Sequence, residues 1–92
     1  MLTENKISEE LKSLSGWSYE NNSISKEFKL KDFISAVEAI KRIAIFEEQM
    51  DHHPDLFLHS YNKLKITLST HSQGGVTEKD FELAKTIEKA VK

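Results

Sequence analysis

Apolar positions along the 92-residue chain change their period several times, and each change marks an element. Near the start, Ile7, Leu11 and Leu14 recur at helical spacing. Thr3 offers an N-cap hydroxyl and Gly16 a stop, which predicts a helix from Thr3 to Leu14. Trp17 to Glu20 then alternates with period 2. Beyond Asn21-Asn22 the alternation resumes in Ile24, Phe28 and Leu30, with Lys26 standing in the apolar face. Adjacent asparagines tolerate the left-handed backbone of a tight turn, so the two segments read as a β-hairpin.

The longest helical pattern runs from Lys31 to about Met50. Phe33, Val37, Ile40, Ile43 and Ala44 follow the 3.6-residue period there, and Asp32 can cap the start. Ile34, Ile45 and Phe46 fall outside that stripe. A helix apolar on more than one side often buries the surplus against a partner as well as its own sheet. Pro54 stops the helix by disfavouring helical geometry at His53. A second hairpin follows, with strands Leu56–Tyr61 and Leu64–Thr70 and a turn at Asn62-Lys63. Leu64, Ile66 and Leu68 face one way; Lys65, Thr67, Ser69 and, by parity, His71 face the other. After the loop Ser72–Gly75, Thr77 opens a last helix that turns Phe81, Ala84, Ile87 and Val91 inward. The order α-β-β-α-β-β-α, with antiparallel hairpins and helices on one sheet face, defines an α+β fold in a single domain over residues 1–92.

Composition narrows the function classes. Thirteen Lys and Arg against fifteen Asp and Glu leave a net charge of −2, which argues against a dedicated nucleic-acid binder. Without cysteine there is no disulfide framework, thiol nucleophile or Cys-containing zinc site. The charged N-terminal stretch is unlike a secretory leader and no apolar run reaches ~20 residues, so the expected location is cytoplasmic and off the membrane. The unusual feature is histidine. All four, His52, His53, His59 and His71, fall between positions 52 and 71.

Imidazole, with an unperturbed pKa near ~6.5, donates or accepts a proton at neutral pH. His52-His53-Pro54 sets two imidazoles side by side at a helix end, and Glu48 lies one helical turn before His52, placed to orient it. His71 ends a strand beside a glycine-containing loop. Thr77-Glu78-Lys79-Asp80 resembles a capping box with Asp in the place of Glu or Gln, so Asp80 reads first as a helix cap. His59 lies within a strand and is the weakest functional candidate. No His-Glu-x-x-His helix and no familiar ligand spacing points to a metal, and no Gly-x-Ser-x-Gly elbow to a serine nucleophile.

Together, Glu48-x-x-x-His52-His53-Pro54, Tyr61-Asn62-Lys63, Ile66 to His71, Gly74-Gly75-Val76-Thr77 and Asp80 resemble the pterin-4a-carbinolamine dehydratase family. That family is also described as the dimerisation cofactor of a homeodomain transcription factor. Gly16-Trp17 and Phe28-x-x-Lys31-Asp32-Phe33 resemble it too. The resemblance implies a four-stranded antiparallel sheet with three helices, and association as homodimers or homotetramers. The implied reaction is dehydration of 4a-hydroxytetrahydrobiopterin to the quinonoid dihydropterin, without metal or cofactor. It also implies His52, His53 and His71 as catalytic groups, with Glu48 and Asp80 binding substrate or supporting them. The competing expectation is a non-enzymatic interaction module that meets a protein partner through the middle helix, around Ile34, Ile45 and Phe46.

Overall fold

The computed structural model describes residues 1–50, His52 and residues 54–91, the side chain of Met50 excepted. The elements follow in the expected order: α1 (Glu4–Leu11), β1 (Ser18–Glu20), β2 (Ser23–Lys29), α2 (Phe33–Met50), β3 (Asp55–His59), β4 (Lys63–Leu68) and α3 (Glu78–Val91). A short 3₁₀ turn, His71–Gln73, precedes α3. The four strands form one antiparallel sheet in the spatial order β1-β2-β4-β3.

Local signals placed most boundaries. The Thr3 hydroxyl accepts from the backbone N–H of Lys6 at 3.2 Å and starts α1. This helix ends three residues before the expected Leu14, and the chain turns through a run of tighter i→i−3 bonds. Leu14 is buried all the same. Asp32 caps α2 through the N–H of Ser35 at 2.8 Å. Asn21 and Asn22 both take positive φ, 53° and 59°, as a hairpin turn matched to strand twist requires.

One sheet face carries the core. Ile24 and Phe28 of β2 and Leu64, Ile66 and Leu68 of β4 are buried against Ile7, Trp17, Ile43, Phe81, Leu83, Ala84 and Ile87. Lys26, the polar residue in this face, is accommodated by charge. Its ammonium lies 2.6 Å from Glu88 Oε2, and the same carboxylate accepts from Trp17 Nε1 at 2.8 Å. The same ammonium lies over the Phe28 ring, 4.6 Å from its centroid, a cation–π contact that ties the interruption to the core.

Two expectations need correction. The second hairpin turns through Ser60-Tyr61-Asn62, with φ values of 50° and 57° at Ser60 and Tyr61, so that Lys63, expected in the turn, already pairs with His59. Asn62 is buried because its side chain donates to the Leu30 carbonyl at 3.0 Å while its own carbonyl accepts from Leu30 N–H at 2.7 Å. That tie fixes Asn62 as the last residue of the turn, directly before β4. In α2 the inward face is formed by Ala36, Ala39 and Ile43, with Ile40 and Phe46 partly buried. Phe33 is 53% exposed and Ala44 is also outside. The small alanines let α2 lie close to its neighbours, including α3, where Arg42 Nε donates to the Ala90 carbonyl at 2.6 Å. The larger residues of the expected stripe therefore border or occupy the surface.

Candidate active site

The described part of the site is assembled where β4 runs out. Beyond Leu68 the chain folds back on itself: Thr70 and Gly75 pair as an isolated bridge, with Thr70 N–H donating to the Gly75 carbonyl at 2.8 Å. The intervening 3₁₀ turn closes on Gly74, whose φ of 68° is readily available to glycine. This reversal sets Thr70 beside Thr77, and α3 starts at once with Asp80 in its first turn.

Asp80 is fully buried. Its Oδ2 accepts from the backbone N–H of Thr77 at 2.8 Å, the reach-back bond of a capping box. The same oxygen accepts from the hydroxyl of Thr70 at 3.0 Å. Its Oδ1 lies 2.5 Å from Nε2 of His52, whose side chain is only 10% exposed. The capping role read from the sequence is thus present, and the second oxygen does something else: it holds an imidazole that arrives from the end of α2. A carboxylate only accepts, so His52 donates from Nε2, which leaves its second nitrogen, Nδ1, without a proton in the neutral ring. His52 is further anchored by its backbone N–H, which donates to the Glu47 carbonyl at 3.4 Å.

The remaining candidates divide. His71 is exposed and lies one residue from Thr70, so Asp80 and Thr70 connect it to His52 at one end of the molecule. Because β4 ends at Leu68, strand parity does not extend to His71. Its surroundings are a hollow of about 200 Å³ shared with Asn21, Asn22, Ser23, Ser69, Gly74 and Gly75. Thr70 lines this hollow and a second one of about 440 Å³, bordered by Leu2, Gln73, Thr77 and Lys79. Glu48 lies exposed near the end of α2. His53 lies outside the described residues. His59 stands apart, on the sheet face opposite the core: it stacks on Phe57 at 4.9 Å and its Nε2 lies 2.6 Å from Glu27 Oε1. That hydrogen bond, with the charges of His59, Lys63 and Lys65, lowers the Glu27 pKa below its ordinary 4.5.

Thr70 is the residue that sequence reasoning missed. Its position in a strand-end Ser-Thr-His run carried no sign of an acid partner ten residues later; only the chain reversal creates one. Among the described residues no group of three or more His, Cys, Asp or Glu side chains is arranged to hold a metal ion. Nor is any helix among them long and apolar enough to cross a membrane.

A sheet covered on one face by three helices, with an imidazole–carboxylate pair where two helix ends meet, defines an α+β domain with a candidate acid–base pair. The chain matches the model of the family described as Pterin 4 alpha carbinolamine dehydratase over residues 1–90, and it belongs to that family. It is 54% identical over 88 residues to a protein of Sulfolobus acidocaldarius provisionally named pterin-4-alpha-carbinolamine dehydratase, covering 96% of each chain. A Nostoc punctiforme protein with the same provisional name is 45% identical over 87 residues, covering 95% of this chain and 92% of its own. Among solved structures, a transcriptional coactivator/pterin dehydratase from Brucella melitensis superimposes with a TM-score of 0.94 at 38% identity, over 99% of this chain and 98% of that one. A pterin dehydratase-like protein identified as a RuBisCO assembly factor in the alpha-carboxysome shares the fold, with a TM-score of 0.66 at 14% identity over 82% of this chain and 86% of its own.

Proposed function

We propose that the protein is a 4a-hydroxytetrahydrobiopterin dehydratase, a hydro-lyase that eliminates water from a pterin carbinolamine by histidine acid–base catalysis. The observation that carries this reading is the His52–Asp80 pair, in a chain of the dehydratase family. In the reaction the C4a–O bond breaks and the hydroxyl leaves as water after receiving a proton. The N5 proton is removed and the N5=C4a double bond forms, with no change of oxidation state. Hydroxide leaves poorly, so a positioned proton donor and acceptor each contribute typically ~10²–10⁴-fold.

In this scheme His53 takes the N5 proton, while His52 and His71 serve the departing hydroxyl. His52 works through Nδ1, since Nε2 is committed to Asp80. Asp80 orients that ring through Nε2, and Glu48 supports the helix end that precedes both histidines. The assay is the absorbance change on dehydration of the carbinolamine, repeated with His52→Ala and with His53→Ala. Rapid turnover by the parent and a loss of about 10²-fold or more in each variant are expected. An inactive parent, or a His53→Ala protein as active as the parent, refutes the scheme.

A second reading is supported by the outer side of α2, where Phe33, Ile34 and Ile45 are 53%, 68% and 60% exposed. Such a strip suits association, either as a homodimer or homotetramer or with a protein partner, in the cytoplasm. Light scattering of the parent and of Ile34→Lys/Ile45→Lys tests it. A parent that stays monomeric and captures no partner argues against it.

A further inference from the structure

We propose that Thr70 is a positioning residue of this site: through Asp80 it fixes the ring of His52 with Nε2 held and Nδ1 presented. The proposal rests on the reading of His52 as an acid–base group. Its basis is the direction of a hydrogen-bond chain. Asp80 accepts from the Thr70 hydroxyl, so Thr70 has spent its only O–H proton there. The Thr70 and Thr77 hydroxyl oxygens are 2.7 Å apart, which makes Thr77 the donor in that pair. The chain runs one way, from Thr77 to Thr70 to Asp80, and meets His52 donating from the other side.

Thr77 also behaves unlike an ordinary cap. A capping threonine accepts the N–H of the third helical residue with its hydroxyl. Here the N–H of Asp80 goes to the Thr77 backbone carbonyl at 3.1 Å, which leaves the hydroxyl for Thr70. Helix capping alone uses the single bond from Thr77 N–H to Oδ2; the Thr70 bond adds a second donor to the same oxygen. Two donors converging on Oδ2 fix the rotation of the carboxylate and so aim Oδ1 at His52. Thr70 is 9% exposed and Asp80 fully buried, so water does not readily replace the hydroxyl. Among the described residues no buried side-chain nitrogen or oxygen lacks a partner, which makes the chain complete as it stands. A β-branched side chain adds stiffness at χ1 that the outward links share.

The test compares Thr70→Val, which deletes the hydroxyl at nearly constant shape, with Thr70→Ser, which keeps it. Two readouts are taken: kcat and KM for carbinolamine dehydration, and the ring ¹⁵N NMR signals of His52. Thr70→Val is expected to lower kcat about 10-fold or more with KM little changed. It should also replace the single Nε2–H form of His52 by a mixture of ring states. Thr70→Ser should restore both. Parent-like kcat and His52 signals in Thr70→Val overturn the proposal, as does a Thr70→Ser protein as impaired as Thr70→Val. Should Thr70→Val fail to fold, Thr70→Ala removes the same hydroxyl with less bulk. A shift of the His52 signals there supports the chain, and unchanged signals overturn it. An inactive parent refutes the enzymatic reading alone, because the imidazole signals still decide the positioning role.

Discussion

Replacing Asp80 separates the two tasks its carboxylate performs. Asp80→Ala removes the acceptor for three donors: Thr77 N–H at 2.8 Å, Thr70 O–H at 3.0 Å and His52 Nε2 at 2.5 Å. Thr70 can turn its proton to the Thr77 hydroxyl, and His52 has a partly exposed ring. The lasting orphan is the Thr77 N–H at the start of α3. Losing a charged acceptor beneath a buried donor, together with the reach-back cap, costs about 3 kcal/mol. For a domain of this size each kcal/mol lowers Tm by roughly 4–8 °C, so Asp80→Ala should melt at least about 12 °C below the parent. Asp80→Asn keeps an amide oxygen for the Thr77 N–H and the Thr70 hydroxyl, and the cost falls to about 1 kcal/mol. Its NH₂, however, now faces His52 and must donate, so the imidazole proton moves to Nδ1. The wrong ring nitrogen is then protonated, and turnover should drop about 10²–10⁴-fold in a protein that still folds. Calorimetry and the dehydration assay read the two effects independently. Parent-like turnover in Asp80→Asn, or an unchanged melting temperature in Asp80→Ala, would refute the assignment of the two oxygens.

Two further predictions concern the scaffold. Tyr61→Gly should stabilise the fold by about 0.5–1 kcal/mol, since glycine relieves the left-handed strain at φ 57° at some entropic cost, whereas Asn62→Ala should cost about 1–2 kcal/mol by stripping the tie to Leu30; urea titration distinguishes this from a turn at Asn62-Lys63, which predicts the opposite order. The Glu27 carboxylate has a folded pKa below its ordinary 4.5, chiefly through its hydrogen bond with His59. A depressed acid contributes stability that is present above pH 4.5 and is lost as pH falls through the lower folded value. The difference in Tm between the parent and Glu27→Gln should therefore be present at pH 6 and shrink below pH 4.5; a difference that grows on acidification refutes the pairing.

The family membership and the element order were legible because they rest on local facts. Thr3 and Asp32 cap the helices they were expected to cap, and Asn21-Asn22 takes the left-handed turn that its side chains tolerate. Asp80 was legible as a cap for the same reason, since its Thr77 partner lies three residues away. Asn62 misled because an asparagine is equally suited to a positive-φ turn and to bonding a distant backbone, and pattern alone does not choose between them. The α2 stripe misled because periodicity ranks residues by hydrophobicity. Close packing favoured Ala36 and Ala39 at the interior and left Phe33 outside.

What the sequence by itself determined, then, is the succession of helices and strands, the α+β class and the set of titratable residues that accompany it. Each depends on propensities and spacings within a few residues. What tertiary structure decided is which groups meet. His52 and Asp80 are separated by 28 positions, Lys26 and Glu88 by 62, and the Thr70 hydroxyl reaches Asp80 only because the chain reverses at Gly74. A buried carboxylate must find donors wherever the fold supplies them. For Asp80 the fold supplied a helix N–H, a strand-end hydroxyl and an imidazole, and that choice distinguishes an ordinary helix cap from a candidate catalytic dyad.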